Sequence, residues 1–278
     1  MSFVAIKIAL EYVPPIALGF IRFLIASLVM SLFIRKFIKY EKKDILYILL
    51  TAFLGITSYF IFENVALIYT TATNASLIAA TVPIFYLIFF DFTSKKVSNK
   101  LNYFGSILGL TGVSILILNG KFILKLNPLG DILMFGAVIS WVFYTFTIQR
   151  LEKYDNMVVS RDIILFGTLM FIPFVLLEII LNFGKVYNET LLNVFAITSI
   201  LYLAVFSSAI AYLFWNKAIR LSGPKTVTNG IYYIPIVSII ADSLILKNIP
   251  NIYSIFGAIM VLMGIYIAEK GNKLKLKA

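Results

Sequence analysis

Three ionisable side chains stand inside long apolar stretches of this sequence: Lys7, Arg22 and Glu63, with Asp242 less central in its run. A charge at the centre of a bilayer costs about 2.5–3.5 kcal/mol on insertion scales, so such residues face protein or water. One reading has Lys7 or Arg22 meeting an anionic group of a solute and Glu63 meeting its ammonium or a coupling proton. The other has Glu63 paired with one base to tie helices together, and Arg22, near a helix start from which it can snorkel, suits that structural role. Polar and aromatic residues recur at helical spacing. Asn229, Tyr232 and Tyr233 fall at i, i+3 and i+4, and Trp141 and Tyr144 at i and i+3, so each set shares a helix face. A wet cavity explains both sets. Packing and interfacial anchoring must absorb most of the other aromatic residues, which make up 15% of the chain.

The residue types exclude much other chemistry. With no cysteine and no histidine, the chain has no disulfide, thiolate, imidazole base or His/Cys metal site. Its acidic residues offer no paired constellation, so no catalytic residue, metal or cofactor is expected, and an intramembrane lipid enzyme is the weakest alternative.

The elements that carry these residues follow from composition. Of 278 residues 61% are hydrophobic and 13% charged, far from the balance of a soluble domain. Runs long enough to span a bilayer cover Ile16–Ile34, Ile45–Tyr69, Ala72–Phe92, Tyr103–Asn119, Leu129–Gln149, Val158–Phe183, Val194–Trp215, Val227–Leu246 and Ile252–Ala268. Ser2–Leu10, ended by Glu11 and Pro14-Pro15, reads as the shortened first of ten helices. It lacks the basic start and cleavage site of a signal peptide. Open sheets cannot satisfy their backbone in lipid and the runs do not alternate, so the fold class is all-α, a polytopic ten-helix membrane bundle.

The net charge of +11 comes from short loops between apolar runs, which is the pattern of topology determinants; a nucleic-acid partner is excluded because no basic folded face exists to hold one. With the N-terminus cytoplasmic, the opposite side receives only Lys121, Lys125, Lys185 and Lys247 of the loop bases. Both termini are therefore expected in the cytoplasm, including a basic tail over 270–278.

Sliding the chain against itself by 152 residues pairs Asn64 with Asn216, Ala66 with Ala218, Pro83-Ile84 with Pro235-Ile236, Phe104-Gly105 with Phe256-Gly257 and Gly112 with Gly264. Two repeats, 1–119 and 128–269, of five helices each must enter the membrane from opposite sides, because five is odd. Inverted repeats with a site near the midplane are the architecture of secondary transporters. Under the same offset Glu63 corresponds to Trp215, and Asn229 and Tyr233 to Leu77 and Thr81, on the helix face that Asn74 shares. The candidate cavity set is thus Lys7, Tyr59, Glu63, Asn64, Asn74, Thr81, Trp141, Tyr144, Trp215, Asn216, Asn229, Tyr232 and Tyr233, with Arg22 as charge partner. Pro83 and Pro235, each placed inside a helix, are expected to be hinges. Gly105, Gly109 and Gly112 permit close helix approach, within the bundle or in a dimer.

Phe3-Val4-Ala5-Ile6-Lys7 with Pro15 and Arg22-Phe23, Glu63-Asn64-Val65-Ala66-Leu67, Tyr69 through Ile78, Pro83-Ile84-Phe85 and the Gly105/Gly112 helix with its copy at Gly257/Gly264 together resemble the EamA-type branch of the drug/metabolite transporter superfamily. The resemblance covers nearly the whole chain. It implies ten helices, two EamA units, and export or exchange of small metabolites such as amino acids. Two features depart from it: the first helix is short at its start, and Lys95 and Lys247 stand near places where the family often has a Gly-Glu pair. The expected protein is a permease of the cell membrane, with a small-molecule substrate and the lipid bilayer as partners, alternating access, a possible proton coupling, and a monomeric or weakly dimeric state. A non-transporting assembly or energy-coupling subunit is the alternative.

Overall fold

A computed structural model describes residues 2–95, 97–118, 127–181, 193–237, 240 and 251–275. Helix α1 covers Ser2–Leu10 and stops ahead of Pro14-Pro15, and α2 (Pro15–Phe33) begins on the second of these prolines, whose missing N–H falls where a helix has no internal partner. The other open donors of that first turn are met from across the bundle: the amides of Ile16 and Ala17 donate to the Glu178 carboxylate at 2.8 and 2.7 Å. The helix α9 that carries Glu178 runs over Asn156–Ile180 and starts at an Asp155 cap, which accepts from the amides of Met157 and Val158. Before it, α8 (Pro128–Gln149) begins with Asn127 accepting from the Gly130 amide.

Eight of the described helical stretches are long and apolar enough to cross a membrane: Pro15–Phe33, Lys42–Tyr69, Ala72–Ser94, Lys100–Leu118, Pro128–Gln149, Asn156–Ile180, Val194–Ser222 and Ile252–Lys273. No strand occurs among the described residues, and the chain is an all-α polytopic membrane protein. Large apolar side chains such as Phe33 and Phe92 point outward, as lipid allows. Residues 238, 239 and 241–246 of the expected Val227–Leu246 run, Asp242 among them, lie outside the described residues, as do Lys121, Lys125, Lys185 and Lys247.

Four of the expected runs are not plain α-helices. The stretch 42–69 consists of α3 (Lys42–Ala52), a π-helical segment (Phe53–Ser58) and α4 (Tyr59–Tyr69). The stretch 194–222 repeats that pattern: α10 (Val194–Ala204), a second π-helical segment (Val205–Ile210) and α11 (Ala211–Ser222). The two π segments are 152 residues apart, the offset of the internal repeat. The stretch 72–94 breaks into α5 (Ala72–Ala79) and α6 (Val82–Ser94), with the Thr81 hydroxyl donating to the Ile78 carbonyl at 2.6 Å across the gap. Pro83 therefore opens a helix instead of interrupting one, which corrects its expected interior position. Pro235 likewise follows a break, since α12 (Pro224–Asn229) passes into a 3₁₀ turn (Gly230–Tyr232) before residues 233–237 resume the helix.

The chain forms two compact units, Met1–Ala75 with Asn127–Leu221, and Ser76–Leu126 with Ser222–Ala278, so each takes helices from both sequence halves. In the first unit α2 packs on α9 and α4 on α8. In the second, α7 (Lys100–Leu118) lies along α13 (Ile252–Lys275). Gly105 faces Gly264 and Ala268, and Gly112 faces Gly257 and Val261, so the two helices run antiparallel. A Cβ on Gly105 would stand 2.5 Å from the Gly264 carbonyl, and one on Gly257 would stand 2.8 Å from that of Gly112. The expected small-residue contact is thus made inside the chain.

One loop of the first unit is pinned by charge. Lys153 bonds both Glu41 and Asp44, at 2.8 Å for the latter, and Lys36 reaches Asp155 at 3.5 Å. Arg161 is a correction to the loop-charge reading: it sits in α9, 4% exposed, paired with Asp162 at 2.6 Å and donating to the carbonyls of Ile34 and Lys36 at 2.8 and 2.7 Å. Hydrogen bonds from Lys153 hold the Glu41 carboxyl below its ordinary value, and the amides of Val158 and Met157 do the same for Asp155.

Depressed carboxyl values contribute stability that is present above the ordinary carboxylate range and lost as pH falls through the depressed values. Amide protection across residues 34–41 is expected to hold from neutral pH down to about 5 and to fall on further acidification, read by hydrogen exchange. Gly264→Leu is expected to abolish monodisperse protein in detergent, because the added carbon meets the Gly109 backbone at 2.5 Å, whereas Gly230→Ala, with nothing within 4 Å, is expected to leave the unfolding midpoint unchanged. Glu178→Ala is expected to lower stability by about 1.5–3 kcal/mol, read as thermal unfolding, because two amides lose a charged acceptor.

Candidate functional site

The first unit gathers most of the candidate residues around the junction of the first π segment and α4. Its tight geometry starts at Gly55, where the Tyr144 ring lies 2.2 Å from the place a Cβ would take. A π turn carries an extra residue and leaves backbone carbonyls turned away from the regular ladder. Here side chains meet them: the Ser140 hydroxyl donates to the Leu54 carbonyl at 3.0 Å and the Tyr212 hydroxyl to the Gly55 carbonyl. In the second π segment Arg22 does so, with Nη2 on the Ser207 carbonyl at 3.1 Å and Nε on Ser208 Oγ at 2.6 Å. Positions 55 and 207 are again 152 apart.

Arg22 is 2% exposed, and its guanidinium lies 4.3 Å from the centre of the Phe60 ring. It makes no ion pair with Glu63. One turn beyond Phe60, Glu63 is 4% exposed and accepts the Tyr59 hydroxyl on Oε1 at 2.8 Å. From Tyr59 the aromatic contacts run on: Tyr59 to Trp141 at 5.0 Å, Trp141 to Trp215 at 5.4 Å, and Trp141 to Tyr212 at 5.7 Å between ring centres. Tyr59, Trp141 and Trp215 keep part of their surface accessible, while Tyr144 and Tyr212 are buried.

Four buried polar atoms along this chain of contacts have no partner: Arg22 Nη1, Glu63 Oε2, Asn64 Oδ1 and Trp215 Nε1. Two are donors and two acceptors. Leaving such a group unpaired costs about 1–3 kcal/mol, so each calls for a ligand or an ordered water. Glu63 and Trp215 are repeat counterparts, and both contribute one.

Other candidates have structural work. Asn64 donates to the Pro15 carbonyl at 2.9 Å, and its counterpart Asn216 donates to Ser160 at 2.9 Å while accepting the Tyr144 hydroxyl. Tyr144 is fully buried, its hydroxyl on Asn216 and its ring 4.9 Å from that of Trp141 between centres. Asn74 is buried near the start of α5. Lys7 lies away from this cluster, in a surface cleft of ≈ 270 Å³ with Leu10, Glu11, Leu67 and Ile68. Thr81, Asn229, Tyr232 and Tyr233 belong to the second unit. There Tyr232 is core, donating to the Ser106 carbonyl at 2.9 Å, Asn229 donates to Glu269 at 3.4 Å, and Tyr233 is exposed. Asn229 and Tyr232 stay on one buried side, since i and i+3 eclipse in a 3₁₀ turn, while Tyr233 is turned out of the expected common face.

The sequence reading missed Tyr212, Ser208 and Glu178. The repeat offset pairs Tyr212 with Phe60 and would have marked it; Glu178 was visible as a carboxylate inside an apolar run.

A model of the EamA-like transporter family matches residues 1–118 and again 128–269. An "Uncharacterized transporter" of Archaeoglobus fulgidus is 29% identical over 96% of this chain and 91% of its own. A "Probable amino-acid metabolite efflux pump" of Salmonella typhimurium is 22% identical over 100% of this chain and 93% of its own. A solved crystal structure shares the fold with a TM-score of 0.72 at 17% identity, covering 96% of this chain and 95% of that one.

Asn216→Ala strips a partner from both Tyr144 and Ser160, and is expected to lower stability by about 1–3 kcal/mol, read as the thermal unfolding midpoint; Asn216→Asp is expected to destabilise as well, by burying a charge.

Proposed function

This chain belongs to the EamA-like transporter family, and from that premise we propose that it moves a small zwitterionic metabolite across the cell membrane by alternating access. The observation that carries the reading is a group of four unpaired polar atoms of the first unit, Arg22 Nη1, Glu63 Oε2, Asn64 Oδ1 and Trp215 Nε1, beside the aromatic contacts of Tyr59 and Trp141. Arg22 Nη1 and Trp215 Nε1 are donors suited to a carboxylate, and Glu63 Oε2 and Asn64 Oδ1 are acceptors suited to an ammonium. Trp141 and Tyr59 supply apolar surface for the rest of the molecule. An amino acid satisfies all of these, and the printed name of the Salmonella typhimurium relative agrees with that class. In this proposal Glu63 alternates between the substrate ammonium and a proton, which couples flux to a pH gradient. The protein has no catalytic step, acts as a monomer or weak homodimer, and keeps both termini in the cytoplasm, as the lysine-rich loops favour.

We further infer that the two halves are inverted copies. The antiparallel pairing of α7 with α13 supports this, because the contact of Gly105 with Gly264 becomes that of Gly257 with Gly112 when the halves are exchanged. The matched π segments support it independently.

The test is uptake of an isotope-labelled mixture of the proteinogenic amino acids into proteoliposomes holding the purified protein, with and without a pH gradient. At least one component is expected to accumulate, and no flux of any component would remove the amino-acid reading. Glu63→Gln is expected to abolish the response to the gradient, and unchanged coupling would remove Glu63 from that role. Trp215→Phe keeps the ring and loses the donor; it is expected to raise the half-saturation concentration about tenfold, or ~1.4 kcal/mol, with little change in maximal rate.

A further inference from the structure

The two π segments occupy equivalent places, yet they are held differently. Around the first, Tyr212 and Ser140 donate to the carbonyls of Gly55 and Leu54, Thr57 donates to the Gly167 carbonyl at 2.9 Å, and the Tyr144 ring closes on Gly55. Around the second, among the described residues, Arg22 alone reaches in from another helix, to Ser208 Oγ and the Ser207 carbonyl. The Ser208 hydroxyl turns back to the Leu203 carbonyl five residues earlier at 2.9 Å, which suits the wide turn. On the outer side of the segment Phe206 is 60% exposed and Ile210 38%, while Ser208 and Ala209 are buried on the side that meets α2.

A π turn that relaxes to α passes its extra residue along the helix. The part beyond it then rotates by about 100° and advances about 1.5 Å. Beyond the second segment stands α11, with Tyr212 and Trp215. We propose that the segment Val205–Ile210 is a joint in its span and that Arg22 is the positioning residue that latches it. With the guanidinium on Ser207 and Ser208, the wide turn is kept and Trp215 stays against Trp141. An anionic group drawn to the free Nη1 competes for the guanidinium, releases the turn and swings α11. The joint goes beyond the transport reading and rests on it only for the role of the anionic group.

Hydrogen–deuterium exchange of the full chain in lipid nanodiscs tests the latch without any substrate. Ser208→Ala removes the acceptor of Arg22 Nε and the bond to Leu203. It is expected to speed exchange across 205–214 about tenfold while leaving 53–62 within about twofold. Equal change in both segments, or in neither, would overturn the latch. Deleting Phe206 removes the extra residue and leaves the flanking helices in register. This variant is expected to keep its unfolding midpoint, to slow exchange at the joint to the level of the neighbouring turns, and to lose at least about tenfold of the amino-acid flux. A Phe206 deletion that folds and transports at the unaltered rate would overturn the joint, and if it does not fold, the Ser208→Ala pattern decides. If the unaltered protein shows no flux, the transport reading fails and the exchange pattern still decides on the joint.

Discussion

Inside a bilayer no polar group can turn to water, so each must find its partner within the protein, and most of what is distinctive in this chain follows from that. The start of α2 is closed by a carboxylate from α9, the π segments have their displaced carbonyls met by serine, tyrosine and arginine side chains, and the break before α6 is bridged by Thr81. Ser106 Oγ and Asn156 Oδ1 are left unpaired elsewhere, but the group of Arg22 Nη1, Glu63 Oε2, Asn64 Oδ1 and Trp215 Nε1 brings donors and acceptors to the elements that carry the aromatic contacts. A group of that kind is tolerated where a mobile solute or water supplies the missing partner.

The two units solve different problems. The first is built from buried polar pairs and aromatic rings in contact, such as Trp141 and Trp215 at 5.4 Å between centres. The second brings α7 and α13 together over glycines, so that backbone meets backbone. Each unit draws helices from both sequence halves, so the sequence duplication and the structural division cut the chain differently.

The helical class and the places of most spans were legible because long apolar runs have one solution in lipid. So was the small-residue helix pair, because glycines at i, i+4 and i+7 on α7 recur at two of those places on α13. Breaks and π turns were not legible. They depend on single tertiary contacts, such as the Tyr144 ring over Gly55, that leave no periodic trace. For the same reason Tyr233, read as sharing one helix face with Asn229 and Tyr232, parts from them where a 3₁₀ turn intervenes. Pro83 shows the ambiguity of a proline, which suits a helix start as well as a kink. Glu63 stood out as a charge inside an apolar run and the offset then paired it with Trp215, while Arg22 needed the structure to reveal that it grips a neighbouring backbone.

Backbone contact between α7 and α13 has a mechanical side. Side chains that interdigitate can slide or change rotamer under load, but carbonyls and amides seated against each other have no such give. The pair therefore behaves as a single stiff beam, and a tilt imposed at the Gly257 end reaches the Asn102–Ala268 hydrogen bond at the far end without being absorbed on the way.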